Sequence, residues 1–357
     1  MRFLFFKVFF FCCFFSGYSQ TYHHYYGTIH AHSAFSDGNK DARQSGCGDP
    51  ACSFELAKTA ENFDFMGISE HNHGGAHMED KNNWYQGLEM AKQATDSSFV
   101  ALYGMEWGTI SKGGHVIIYG FDYLIGWEDG LYDFFNSKTD YNGLFELLTH
   151  RPTGFAYLAH PEKTDYNGLF TETYNETNDS VIVGLAYKTG PALGNNAQLT
   201  DYSAKASGTY NARYKDLLKS GYRVAPGMDH DSHYSNFGKA TERRLVVLAE
   251  SLTQEALLEG IRARRFYASD DYNFRVDFNI GDAIMGEVFS SDVVPQLKID
   301  LHDEDAESLS YIKVFYGVRG SGVNPKNYKL SISEATTTIT EPLKKFEPKR
   351  NTIIIWR

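Results

Sequence analysis

The chain has 357 residues, of which 42% are hydrophobic and 22% charged, with 34 basic against 45 acidic residues and a formal charge of −11. That length supports one large domain plus a small one. The acidic balance argues against electrostatic binding of long nucleic acids, but it leaves small anionic substrates open, because bound cations supply positive charge locally.

The first 19 residues read as a secretory signal. Arg2 and Lys7 give the positive start, residues 8–15 are apolar, and Gly17-Tyr18-Ser19 is a small-x-small cleavage site before Gln20. The apolar run is too short to span a bilayer comfortably, so cleavage and export to the periplasm or medium are expected. Without Arg2 and Lys7 the balance is 32 basic against 45 acidic, or −13. No later segment is apolar enough to cross a membrane. Two of the four cysteines lie in the signal, leaving Cys47 and Cys52. In an oxidising compartment a pair with that spacing is expected to form a disulfide loop. Thiol ligation of a metal is the weaker alternative, since the other ligand-type residues are His and carboxylate.

Strands are expected at 25–31, 63–69, 98–104, 115–121, 154–160, 181–187 and 221–227, where hydrophobic runs alternate with turn or helix signals. Asp49-Pro50 opens a helix through Phe54, Leu56, Ala57 and Ala60. Residues 84–94, 144–149 and 210–219 are helix-like. Ser251 to Gln254 forms a capping box ahead of the stripe Leu252, Ala256, Leu257 and Ile261. Such alternation implies an α/β fold, either a βα barrel or an open sheet. After Asp270-Asp271 the alternation becomes strand-like, and residues 275–357 are expected to form a small C-terminal β domain, its strands packed sandwich-fashion. The end from Glu341 is basic and is expected to pack weakly.

The ligand-type residues fall at the ends of these runs. His30 and His32 are two apart and share a face of a strand, with Asp37 close behind in Ser36-Asp37-Gly38. Glu70-His71, Gly104-Met105-Glu106, His160-Pro161 and Asp231-Ser232-His233 follow. Imidazole and carboxylate together form the mixed set used by zinc, manganese and iron sites. Only ten residues separate Gly104 from His115. That is short for a helical crossover, so a hairpin is expected to return His115 beside Glu106. Asp229 and His230 compete with Asp231 and His233 in the last segment. His23, His24, His73, His77, His150 and His302 are read as structural or solvent-exposed, with His73 nearest the cleft. Trp107 and Tyr234 flank ligand positions and are candidates to line the pocket.

In this order the motifs resemble the polymerase and histidinol phosphatase (PHP) superfamily, over residues 21–272. The resemblance implies a distorted seven-stranded βα barrel with its chemistry at the C-terminal ends of the strands. It implies two or three divalent ions (Zn, Mn or Fe), bridged by Glu106. His30, His32 and Asp231 would complete one site, His115 and His160 the second, and Asp37, His71 and His233 the third. Its one-residue spacing selects Asp231 and His233 over Asp229 and His230. Glu106, Asp37 and His71 would carry the catalytic chemistry. Arg243 and Arg244 are candidates to clamp a substrate phosphate, against the plainer reading of surface charges on a strand.

These expectations divide the chain into a signal (1–19), a metallohydrolase domain (20–274) and a β domain (275–357). The function implied by the resemblance is hydrolysis of a small phosphomonoester or phosphodiester by metal-activated hydroxide. The nearest alternative is hydrolysis of a carbamate, ester or amide, and a third is a non-catalytic envelope binding module. No Walker-type loop, Ser-His-Asp order or nicotinamide fingerprint is apparent.

Overall fold

The computed structural model describes residues 21–110, 113–194, 209–307, 309–332, 334, 336–343 and 352–356. The expected signal and its cleavage point lie outside the described residues. All seven expected strands are present. They are β1 (His23–Thr28), β2 (Phe65–His71), β3 (Val100–Thr109), β4 (Gly114–Tyr119), then, after a short ribbon of β5 (Ile125–Gly126) and β6 (Phe134–Phe135), β7 (Phe155–Leu158), β8 (Ile182–Thr189) and β9 (Ala225–Asp229). Two more, β10 (Arg244–Ala249) and β11 (Phe266–Ser269), join the same sheet.

The sheet therefore has nine strands, ordered β11-β10-β1-β2-β3-β4-β7-β8-β9, and corrects the seven-strand expectation. The two additions run antiparallel at the seam, where β10 pairs with both β1 and β11. Past the strand ends, Asp231 N donates to His30 O and His32 N to Ser232 O, both at 2.9 Å, so the ring nearly closes. Tyr119 on β4 donates to Ile29 O at 2.9 Å, reaching across the interior to a chain segment that is not its neighbour. Gly67 on β2 makes room for that crossing, since a Cβ there would collide with the Tyr119 hydroxyl.

The expected hairpin is found: β3 and β4 pair antiparallel, with Gly108 opposite His115. Helices cover the outside. They are α1 (Ala42–Ser45), α2 (Pro50–Ala57), α3 (Lys81–Ala94), α4 (Tyr141–Thr149), α5 (Glu176–Val181), α6 (Asn211–Ser220) and α7 (Gln254–Arg262). Phe54, Trp84, Leu144 and Leu217 bury the faces of α2, α3, α4 and α6 against the sheet. Asp49 caps α2 by accepting from Cys52 N at 2.8 Å, with Pro50 at the first turn, and Cys47 and Cys52 are disulfide-bonded. The cap of α7 is Thr253, which accepts from Ala256 N at 3.2 Å, so the helix starts later than the box at Ser251 suggested.

Beyond the barrel lie β12 (Arg275–Ile280), β13 (Gln296–His302), β14 (Tyr311–Val318), β15 (Lys326–Ser331), β16 (Thr337–Pro342) and β17 (Thr352–Trp356). They form two three-stranded sheets, β12-β13-β16 and β15-β14-β17. Val276, Leu297 and Ile299 of one share a core with Ile312 and Val314 of the other, and with Val246 and Tyr267 of β10 and β11. Within the basic end, β17 pairs antiparallel with β14, and residues 344–351 lie outside the described residues. Among the described residues no helix is long and apolar enough to cross a membrane.

Candidate metal centre

Glu106 lies within β3 and is fully buried. Its Oε1 is 2.8 Å from His115 Nδ1, 3.1 Å from His160 Nε2 and 3.2 Å from His30 Nε2. Its Oε2 is 3.1 Å from His32 Nε2 and 3.4 Å from His71 Nδ1. Asp231 Oδ1 stands 3.1 Å from the Nε2 atoms of both His30 and His32. Asp37 Oδ1 is 3.3 Å from His233 Nε2 and 3.6 Å from His71 Nε2. All nine residues expected as ligands thus gather in one cluster.

The topology explains the gathering. His30 and His32 follow β1, His71 ends β2, His160 follows β7, and Asp231 and His233 follow β9. The β3–β4 hairpin turns His115 back to the same end. His160 and Asp231 adopt φ of 27° and 53°, in the left-handed region. Side chains held there cost on the order of 1–3 kcal/mol, a strain that clusters at functional sites.

The cluster fits divalent cations. Ligand atoms about 2.1 Å from a shared ion lie roughly 3.0–3.4 Å apart, from simple tetrahedral and octahedral geometry. Most of the separations here fall in or near that band. Asp37 Oδ1, His71 Nδ1, Glu106 Oε2 and His115 Nδ1 are buried with no hydrogen bond of acceptable geometry, although buried polar atoms are ordinarily paired. Within this cluster three sets have donor atoms close enough to share an ion, namely His30, His32, Glu106 and Asp231; His71, Glu106 and His115; and His32, His71 and His233, a grouping that differs from the expected one in leaving His160 and Asp37 outside the sets. His71 stands between the second and third, with Nδ1 toward Glu106 and Nε2 toward Asp37.

Without cations, protons occupy part of this cluster. Burial works against a charged His32, but Asp231 and Glu106 outweigh it and raise its pKa to about 10. His160 rises to about 9, again against burial, through Glu106. His30 is raised well above its usual value by Glu106 and Asp231 despite complete burial. Burial holds His71 well below the usual range. Glu106 and Asp231 stay well below the carboxylate range, because the surrounding imidazoles overcome the effect of burial.

A further layer supports the ligands. Asp229 Oδ2 lies 3.1 Å from His30 Nδ1, which directs the Nε2 lone pair at the cluster when His30 is neutral. Glu70 is fully buried and accepts from Ser33 N at 3.1 Å and from the hydroxyls of Ser33 and Ser36, fixing the loop that carries Asp37. Tyr166 Oη is within 2.8 Å of Ala159 O and 3.0 Å of His115 O, tying together the backbones beside two ligands. Sequence reasoning gave neither Glu70 nor Tyr166 a role. For Glu70 the available signal was its place beside His71.

Two expectations are corrected. Arg244 is fully buried, and its guanidinium donates to the carbonyls of Glu61, Asn62, Gly238, Thr241 and Arg243. Those five bonds bind it to the scaffold, so it is not a phosphate clamp. Trp107 is also fully buried, packed edge-on against Trp127 and Tyr141, and lines no open pocket. Arg243 directs Nη1 to Thr189 O at 2.5 Å and Nε to Asp270 at 3.1 Å. His230 turns out of the cluster to Arg243 O at 2.7 Å, and burial, then the Arg244 charge, lowers its pKa to about 3. The His73 ring stands 5.8 Å from that of His71 and 5.4 Å from Trp127, at the cluster's edge.

No family model matches the chain. An uncharacterized protein of Chlamydia muridarum (strain MoPn / Nigg) is 30% identical over 105 residues, covering 28% of this chain and 17% of that protein's length. Among solved structures, a two-domain protein containing a predicted PHP-like metal-dependent phosphoesterase, from Bacteroides vulgatus ATCC 8482, aligns over 94% of this chain and 96% of its own. The TM-score is 0.43 and the identity 14%. At that level of similarity, the chemistry of the site rests on this chain's own residues.

Proposed function

We propose that this chain is an exported, metal-dependent hydrolase that cleaves a small phosphomonoester or phosphodiester. The observation that carries the reading is the buried Glu106 carboxylate, ringed by five imidazoles, with Asp231 completing a ligand set and Asp37 beside His71 and His233. The ordered motifs and their resemblance to the PHP superfamily support the same reading. Divalent ions bound in such sets lower the pKa of water, orient an ester and stabilise charge on the attacked and leaving oxygens. A nitrogen- and oxygen-rich set of this kind suits Zn, Mn or Fe.

The protein's own part is to place and charge the ligands. Glu106 and Asp231 remain anionic among the imidazoles and balance cationic charge. Asp229 orients His30, Glu70 fixes the Asp37 loop, and Tyr166 anchors the segments carrying His115 and His160. In this reading Asp37 and His71 act on the substrate together with Glu106.

One observation favours a second reading. With Arg244 committed to backbone carbonyls, the expected phosphate clamp is reduced to Arg243. A carbamate, ester or amide needs no such clamp, and the same activated water attacks a carbonyl carbon. The test is a panel of phosphomonoesters, phosphodiesters, carbamates and carboxylic esters, assayed before chelation, after it, and after metal is restored. Phosphate ester cleavage that follows the metal supports the proposal. Metal-dependent cleavage of carbonyl substrates alone selects the second reading.

A further inference from the structure

The Cys47–Cys52 disulfide takes no part in the proposed chemistry, yet it sits where two ligand-bearing segments meet. One segment carries Asp37 and runs on to Asp41. The other carries His233 and runs on to Ser235. Lys40 N donates to His233 O at 2.9 Å, Ser235 N to Asp41 Oδ1 at 2.9 Å, and Asn39 Nδ2 to Ser235 Oγ at 2.9 Å, the last across 196 residues of sequence.

The crosslinked loop braces these same stitches. Ser53, next to Cys52, donates to Asn39 Oδ1 at 3.2 Å. Cys47 N donates to Ser45 Oγ at 3.2 Å, and Ser45 Oγ lies 3.1 Å from Ser235 Oγ. Cys47 is fully buried, with its sulfur 3.8 Å from Ser53 Oγ. Asn39 is buried and held at a φ of 45°, a conformation that persists only where the surroundings enforce it.

We propose that the Cys47–Cys52 bond positions Asp37 against His71 and His233, two members of the His32, His71 and His233 cation set, and leaves the other sets to the sheet. The inference rests on the metal-centre reading above. Glu106, His71 and His115 sit on paired strands whose ladders fix them. Asp37 sits on a loop that the sheet reaches through the bonds of Glu70 to Ser33 and Ser36, and its link to the His233 segment runs through the stitches above. Without the crosslink, residues 47–52 gain conformational freedom, and the brace they give to Asn39 and Ser235 loosens. Bringing Asp37 and His233 together then costs more entropy, and the weakening falls on that set alone.

The experiment is metal titration of the full chain, with bound ions counted at graded free metal, for the wild type and for Cys47→Ser/Cys52→Ser. The expected result is that the most weakly held ion loses about 10–100-fold in affinity while the other ions keep theirs. Ser235→Ala leaves the disulfide intact and is expected to produce a milder form of the same selective loss. A merely structural disulfide would lower Tm and leave the ratio of affinities unchanged, and that outcome overturns the inference. A folded double variant with wild-type affinity for every ion overturns it too. A wild type holding two ions and none on Asp37 overturns it but leaves the hydrolase reading standing. A wild type that holds no ion fails that reading first, and this inference with it.

Discussion

His30 faces Asp229 with one ring nitrogen and the cluster with the other. Nδ1 is 3.1 Å from Asp229 Oδ2, while Nε2 is 3.1 Å from Asp231 Oδ1 and 3.2 Å from Glu106 Oε1. The two aspartates are two residues apart, yet they meet opposite sides of one imidazole. The left-handed turn at Asp231, with φ of 53°, ends the strand geometry that would have put both on one face.

This relationship separates the roles of the two acids. Asp231→Ala is expected to abolish activity with loss of an ion. Asp229→Ala is expected to lower metal affinity or activity by about 10–100-fold, because it removes an orienting partner and leaves every ligand in place. Kinetics and metal stoichiometry on both variants decide the matter. Loss of the ion in Asp229→Ala with its retention in Asp231→Ala would reverse the assignment.

Arg244→Ala is expected to act on stability. It removes the donor to five carbonyls, of which those of Gly238 and Thr241 are in buried bonds and the rest in part-buried ones, and buried acceptors left without partners cost about 1–3 kcal/mol each. A destabilisation of more than about 3 kcal/mol follows, read as a lower denaturation midpoint. A variant of wild-type stability with a raised KM for phosphate esters would restore Arg244 to the substrate.

Tyr166→Phe removes only a hydroxyl, the group that meets Ala159 O and His115 O. The ions relying on His115 and His160 are expected to bind about 10–100-fold more weakly, while the set containing His30, His32 and Asp231 keeps its ion. Titration of the variant shows whether the loss is selective, and equal weakening of all ions would remove Tyr166 from this role.

Metal uptake is expected to release protons and to strengthen as pH rises. In the metal-free protein His32 titrates near 10 and His160 near 9, both above the ordinary histidine value of about 6.5. Below those values the imidazoles hold protons, and a cation must displace them. Affinity therefore grows with pH up to the 9–10 range and levels off above it. The same raised values stabilise the metal-free fold fully below about pH 6.5, and that contribution is lost as pH rises through 9–10. Calorimetry in buffers of different ionisation enthalpy measures the protons directly, and uptake without proton release contradicts the assignment of His32 and His160.

The residues that gather in the cluster were legible because each is a chemically distinctive residue at the end of a hydrophobic run, and a strand end in such a sheet points into the cleft. His115 was legible from chain length alone, since ten residues allow a hairpin and little else. Arg244 was not legible. An arginine heading the apolar run Leu245–Ala249 reads the same whether its fork meets solvent or buried carbonyls, and only tertiary structure supplies those carbonyls. The apolar run Leu245–Ala249 announced β10 as a strand but not its place in the barrel sheet, and β11 was not legible at all. β11 is four residues long and takes its strand character from pairing with β10. Tyr166 opens a single 3₁₀ turn, Tyr166–Gly168, too short to leave a periodic pattern, and is held at a φ of 55° that the sequence does not announce.

The most direct test of the account is metal analysis of the purified protein coupled to its hydrolytic activity. The account predicts at least two divalent ions per chain, fewer in folded His32→Ala and Glu106→Ala variants, with phosphate ester hydrolysis falling in step and returning to the wild type when metal is restored after chelation. A protein that keeps full hydrolytic activity with no bound metal would contradict it.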